Sequence, residues 1–350
     1  MSDHPLLETP VAPFEISYRD TTASLLDKMA RMGFQARSLG QAAEIWSEML
    51  GDKTTIFLAI SGAVVPAGMR KILAFLISNR YVDCVVSTGA QLFHDLDECL
   101  GHDHYQTGHH IDDATLFRSN LVRMYDTLAD MSSQNVTEQY IASFSSSIPR
   151  RSYSTREFLY RLGMEVSQKI TEDGILTSAA RARVPIYCPA IADSVLGFGV
   201  AKSILENGSG AHLDTIGDLI ETVKIVDETE AASGRTGVII IGGGVPRNFA
   251  QQAATGATLF GKAWFKMHKY GIHITTDSPQ WGGLSGSTFE EAKSWGKYDL
   301  DESKTTTVYC DATIAFPLLA SAVAERHHKT IRRRDRPRFR MGTGISLRFR

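Results

Sequence analysis

The chain is 350 residues long, 43% hydrophobic, 22% charged and 9% aromatic, with a formal net charge of −2. That composition supplies a large core and excludes wholesale disorder, and at roughly 150 residues per domain the length allows about two domains. The charge is uneven: nine Lys or Arg and one acid (Asp335) lie between His327 and Arg350, so an acidic body carries a basic tail, which speaks against a nucleic-acid partner.

The opening stretch MSDHPLLETPVAPFE has neither a basic start nor a continuous apolar run. Residues 1–16 are therefore expected as an extension and not as a secretory signal, with the cytoplasm as the expected compartment. Leu25, Leu26, Met29 and Met32 share a helical face that stops at Gly33, and Ala42, Ile45, Trp46 and Met49 share another that stops at Gly51. Six short runs then recur along the chain: Thr55–Ile60, Val82–Ser87, Val184–Cys188, Gly237–Ile241, Gly271–Thr275 and Thr306–Cys310. Rich in β-branched residues and ended by Gly, Ser, Pro or Asp, they predict strands buried on both faces. Their alternation with helical stretches predicts an α/β chain on a Rossmann-like, doubly wound parallel sheet.

One insertion interrupts the alternation, from Gly101 to about Ser152. Leu116, Leu121, Met124, Tyr125 and Leu128 predict a helix there, and the Ser/Pro/Arg-rich Ser143–Ser152 is the best candidate linker. One domain over residues 17–326 with this helical insertion is expected, followed by a basic tail at 327–350. The longest apolar region, Ile314–Ala324, contains Pro317 and is too short to cross a bilayer, so no membrane partner is expected. Cys84, Cys99, Cys188 and Cys310 are far apart in the chain and suit reduced thiols.

In a sheet of this kind ligands bind at the carboxyl ends of the strands. Three of those ends carry small residues: Ser61-Gly62-Ala63, Thr88-Gly89-Ala90 and Gly242-Gly243-Gly244. Any strand-to-helix turn favours Gly and Ser, but three such turns favour a nucleotide site, although neither GxGxxG nor GxxxxGK[ST] occurs. Asp193, Asp277 and Asp311 also follow strands. An acid there can hold a ribose or a cationic substrate, or it can cap the next helix, and Asp311 reads most readily as a cap. His102, His104, His109 and His110 crowd the segment GHDHYQTGHHIDD, but no spacing matches a ligand set. An exposed polar loop, with no metal, is the expectation.

Thr288 and Glu291 form a capping box for a short helix that ends near Trp295, with Gly296 as its stop. Lys297 follows at once, beside an indole. Desolvation would make it a nucleophilic amine, whereas the helix C-terminus favours a charged capping lysine, the plainer reading of the residues alone. The tail IRRRDRPRFRMGTGISLRFR reads as a solvated, mobile end.

The segments SGAVVPAGMRKILAFLISNRYVDCVVSTGAQLFHDLDECL, YSTREFLYRLGMEV, VPIYCPAIADSVLG, IIIGGGVPRNF and EEAKSWGK…VYCDATIAFPLL resemble, in order, those of deoxyhypusine synthases. The resemblance runs from Ser17 to Ala324 and is weakest in the His-rich insertion. Its most specific piece is SWGK, which in that family ends in the lysine that forms an imine with substrate, here Lys297. The resemblance implies an NAD-dependent transferase that moves an aminobutyl-type group from an amine donor such as spermidine, through an imine on Lys297, to an amine acceptor. The acceptor is a translation-factor lysine in deoxyhypusine synthases and putrescine in the related homospermidine synthases. A homotetramer with cofactor sites at subunit interfaces is implied as well.

The NAD contacts implied are Ser61, Gly62, Ala63, Val64, Val65, Thr88, Gly89, Ala90, Asp193, Gly243, Thr276, Asp277, Asp311 and Ala312. His94 stands where the family has a Glu. In the implied polyamine pocket Glu291 and Trp295 are kept, Phe198 and Leu284 replace aspartates, and Asn248 replaces a histidine. A dication would lose its partners there, and an unpaired buried ammonium is unfavourable. The expected substrate is therefore an altered amine or a guanidine, and a protein acceptor is possible but not implied. A homospermidine synthase-like polyamine enzyme and a non-catalytic NAD-binding homologue are the alternatives.

Overall fold

All six predicted runs are strands: β1 (Thr54–Ile60), β2 (Cys84–Ser87), β3 (Ile186–Tyr187), β4 (Arg235–Ile241), β5 (Tyr270–Thr275) and β6 (Lys304–Tyr309). This computed structural model describes residues 9–108, 110–170, 172–208, 210–260 and 266–349; the first eight residues of the expected extension, His109 and Arg350 lie outside them. The six strands form one sheet in the order β6-β5-β4-β1-β2-β3, with every neighbouring pair parallel. Central β1 is buried along its whole length, as its unbroken apolar run requires, whereas edge strand β6 exposes Lys304 and Tyr309. The other edge, β3, is shorter than expected because Pro185 and Pro189 flank it and offer no N–H to a ladder.

Alternation along β1 sends Ile56, Leu58 and Ile60 into one core and Phe57 and Ala59 into the other. The first core also takes Leu26 of the helix Thr22–Met29 and Trp46 of the helix Phe34–Gly51, the two helices predicted before β1. The second takes Ile225 of the helix Thr215–Ala231 and Ala250 of the helix Gly244–Phe260. Helices therefore cover both faces of the sheet. Among the described residues no helix is long and apolar enough to cross a membrane.

The insertion differs from expectation. The helix predicted over Leu116–Leu128 is a short helix, Asp113–Arg118, followed by an antiparallel hairpin of Leu121–Met124 with Thr127–Asp130, joined by Tyr105–Gln106 as a third strand. Asn120 and Tyr125 explain the break, because both adopt positive φ (56° and 55°) and a helix cannot continue through either. The expected linker is also absent. Its serines finish the helix Met131–Ser147, and Ser145 is buried against Ser203 (2.9 Å).

The tail is not a mobile end. Arg338–Met341 and Ile345–Arg348 pair as an antiparallel hairpin that buries Phe339, Ile345 and Leu347 in the second core. Just upstream, Arg334 reaches under the sheet to Asp83 (2.6 Å) and to the Thr54 carbonyl (2.5 Å). The period-2 pattern of a half-buried hairpin was present in RFRM and ISLR, hidden by the density of arginine.

Candidate functional site

The strand order reverses between β1 and β4, and at that switch point their carboxyl ends diverge around a cleft of about 600 Å³. Ser61, Gly62, Ala63 and Val64 enter it from β1, Gly243 from β4, Thr276 and Asp277 from β5, and Asp311 with Ala312 from β6. Val65 is buried behind them, its N–H donating to Gln91 Oε1 (2.9 Å). The floor requires small residues. A Cβ on Gly243 would stand 2.3 Å from the Ser285 backbone, and the Gly243 N–H donates to Ser61 Oγ at 2.6 Å. Below the turn His273, fully buried, donates from Nε2 to the Gly242 carbonyl (2.6 Å), which fixes its tautomer.

Both acids in the cleft have defined partners. Asp277 accepts from Ser285 Oγ (2.5 Å) and from the Ser278 N–H (2.9 Å), and the Ser285 hydroxyl is the main cause holding its carboxyl below the usual range. Asp311 caps the helix Ala312–His327 through the Thr313 N–H (2.7 Å), so the capping expectation and a place in the cleft hold together.

Lys297 does not line this cleft. The capping box forms as predicted, with Thr288 Oγ1 accepting from the Glu291 N–H (3.0 Å) and Glu291 Oε2 accepting from the Thr288 N–H (2.6 Å). Gly296, at φ 67°, reverses the chain after the helix Phe289–Ser294. The Lys297 side chain then turns inward instead of capping. It is 8% exposed, and Nζ donates to Asn248 Oδ1 at 2.8 Å. No carboxylate pairs with it among the described residues. Burial, and then the nearby Arg247 guanidinium, push its pKa below the ordinary lysine value. Arg247 is itself fully buried and donates to the carbonyls of Leu284 (2.9 Å) and Ser287 (2.6 Å).

Asn248 and Leu284 line a second, mostly apolar cleft of about 470 Å³, while Ser285 lines the first. Consecutive residues of one short segment thus border both. Trp295 (71% exposed) and Glu291 flank this region on the surface, Glu291 engaged in its capping box.

Other expected contacts are not brought here within one chain. Thr88, Gly89 and Ala90 start the helix Gly89–Cys99 from β2 but do not border the cleft, and Gly89 packs against Ser194. Asp193 is exposed, and Ser194, not Asp193, caps the helix Val195–Asn207 that carries Phe198, 62% exposed. His94 Nδ1 is 3.0 Å from His104 Nε2, and His104 Nδ1 is 2.8 Å from Glu98 Oε1. Burial first, then His104, push the His94 pKa down to about 4. His104 is thus part of a packed chain of side chains and not of an exposed loop.

Sequence reasoning missed Arg247, Ser285, His273 and the hairpin tip Met124–Thr127, which overhangs the first cleft. Arg247 had a signal, a lone cation three residues beyond the GGG turn; the hairpin tip had none once its segment was read as a helix.

The deoxyhypusine synthase family profile matches residues 24–323. "Probable deoxyhypusine synthase 2" of Methanosarcina acetivorans is 43% identical over 321 residues, covering 91% of each chain. The Archaeoglobus fulgidus protein of the same name is 46% identical over 83% of this chain and 94% of its own. A "Deoxyhypusine synthase-like protein" of Chlorobaculum tepidum is 34% identical over 90% of this chain and 89% of its own. The crystal structure described as a "putative deoxyhypusine synthase" from Entamoeba histolytica superposes with a TM-score of 0.55 at 19% identity, covering 89% of this chain and 96% of that one, which shows the shared fold. Identity at this level along nine-tenths of the sequence, with the profile spanning the sheet from its first helix to its last, establishes that the chain belongs to the deoxyhypusine synthase family.

Proposed function

We propose that this chain is an NAD-dependent transferase that passes an aminoalkyl group from an amine donor to an amine acceptor through an imine on Lys297. The observation that carries the reading is the Lys297 amine: buried, without a carboxylate partner among the described residues, beside the Arg247 guanidinium, and bonded to Asn248, which lines the apolar cleft. A lysine in that setting gives up its proton more readily, and the free amine is the form that attacks an imine carbon. Its lone pair forms the new C–N bond as the donor's departing amine leaves with the bonding pair and takes up a proton. The acceptor amine then displaces Lys297 by the same exchange. Asn248 Oδ1 holds Nζ in place between the steps.

The cleft suits NAD on the chain's own features: close backbone approach at Gly243, and two carboxylates, Asp277 and Asp311, at strand ends where ribose hydroxyls can donate. Ser61–Val65, Thr276 and Ala312 complete that wall. NAD, when bound, would supply the hydride acceptor for donor oxidation and the hydride source for final reduction. Thr88, Gly89, Ala90, Asp193, His94 and Phe198 belong in this reading to the site of a neighbouring copy in a homotetramer, which accounts for their standing apart from Lys297 in one chain.

The substrate in this reading is an amine or guanidine with less charge than spermidine. Leu284 borders an apolar cleft and Phe198 presents an open ring, against which a guanidinium stacks for about 0.5–2 kcal/mol. Incubation with NAD and a panel of amines, borohydride reduction and peptide mass spectrometry test the proposal. An adduct is expected on Lys297 and on no other lysine, absent from Lys297→Ala, and Phe198→Asp with Leu284→Asp should raise spermidine use. If the NAD-bound protein yields no adduct with any amine, the proposal fails.

A further inference from the structure

At the amino ends of the strands, opposite the NAD cleft, lies a concavity of about 490 Å³ walled by Arg183, Arg338, Arg340, Arg348 and Tyr160. Its lining holds four guanidiniums and no acid. Among the described residues none of the four forms an ion pair, although at least ten other arginines do.

Three of these arginines are placed at a disadvantage to the fold. Arg338 and Arg348 stand directly opposite each other in the hairpin, where like charges repel. Arg183 occupies the left-handed position that ends the helix Ile175–Ala182, at φ 53°, where glycine is free of strain. Both placements converge on the same concavity. The hairpin is also held firmly: the Leu347 N–H donates to Glu228 Oε2 (2.7 Å), the Arg156 guanidinium to the Gly342 carbonyl (2.9 Å), and Phe339 and Leu347 are buried. The guanidiniums are thus carried on a fixed frame, with no ion-pair partner among the described residues.

We propose that this concavity binds an oligophosphate chain, free or as part of a nucleotide. Guanidinium forks match phosphate oxygens in pairs, and several forks around one hollow suit adjacent phosphates better than a single carboxylate. The hollow has the size of a small-ligand site. A nucleic acid would need a longer basic track than one hairpin on an otherwise acidic body.

The test is calorimetric titration of the full chain with sodium triphosphate and, separately, with ATP at physiological salt. Saturable binding of both is expected. Equal affinities identify the phosphate chain as the whole ligand, and tighter ATP binding adds a contact to the nucleoside. Arg340→Gln should weaken both by about tenfold. Arg183→Gly should do the same while raising the melting temperature, because it removes a cation and relieves the backbone; that pairing keeps misfolding from imitating the result. The proposal is overturned if neither ligand binds, if binding survives these substitutions and so lies in the other cleft, or if a single-stranded oligonucleotide binds more tightly than triphosphate.

Discussion

Two buried arginines stand at opposite ends of the same sheet. At the amino ends, Arg334 has 1% side-chain exposure and grips Asp83 at 2.6 and 3.2 Å, while Arg80 meets the same carboxylate at 3.1 Å. At the carboxyl ends, Arg247 is equally buried but meets only backbone carbonyls, and its charge bears on Lys297. The first arrangement neutralises charge and ties the tail to the sheet. The second sets a guanidinium beside an amine with no carboxylate in contact with either among the described residues, which disfavours the ammonium. Burial is the same at both ends; the presence of a carboxylate decides whether the buried charge is neutralised or bears on a neighbouring cation.

The largest effect expected from this contrast is at Lys297. Lys297→Ala removes no ion pair, so turnover and borohydride-trapped adduct should fall below detection while stability changes by less than about 1 kcal/mol in urea unfolding. Strong destabilisation would mean that the lysine is structural after all.

At the other end the pattern should invert. Asp83→Ala leaves two guanidiniums buried without their carboxylate, and chemical denaturation should show a loss of about 3–5 kcal/mol. Truncation after Arg326, which a mobile tail would tolerate, should instead expose the core around Phe339 and Leu347 and cause aggregation on size-exclusion chromatography. A soluble, fully stable truncated chain would show that the hairpin is dispensable.

The strands and the turns that end them were legible because a parallel sheet buries both faces, and six short apolar runs ending in small residues have few other uses. Lys297 was legible as a position but not as a state. The helix stop at Gly296 could be read from SWGK, yet the direction of the side chain depends on Asn248 and Arg247, which lie about fifty residues earlier and meet it only through the helix after β4. The insertion and the tail were misread for opposite reasons. In the first, apolar spacing imitated a helix that positive φ at Asn120 and Tyr125 forbids; in the second, arginine concealed an alternating pattern with a buried face.

A third measurement sharpens the Arg247–Lys297 half of the contrast. The Arg247 charge opposes protonation of Lys297, so Arg247→Gln should raise the lysine's pKa. Adduct formation needs the free amine, and its rate therefore rises with pH through that pKa. The limb should move to higher pH in the variant, at unchanged plateau if the Leu284–Ser287 carbonyls find the glutamine amide. A limb that stays in place would assign the lowered pKa to burial alone.

The smallest effect concerns a carboxylate that lies between the two extremes. Asp218 is fully buried, and burial, reinforced by Glu221, pushes its pKa up to about 7 from 3.8 against hydrogen bonds from Thr155 Oγ1 (2.6 Å) and the Arg156 N–H. The folded chain keeps a proton there that the unfolded chain has released. Its contribution to stability is complete below the unfolded value and is lost as pH rises through the folded one. His94 and His268, pushed down to about 4 by burial, give a slope of the opposite sign below about pH 6.5, so the useful quantity is the difference between two proteins. Asp218→Asn keeps an acceptor for Thr155 and removes the titration. Between about pH 5 and pH 8 the urea midpoint of the parent should fall relative to that of the variant. Parallel curves would mean that Asp218 is already ionised in the fold, its charge held by the Thr155 hydroxyl and the Arg156 backbone N–H, and the stability end of the contrast would then extend to a carboxylate without an ion pair of its own.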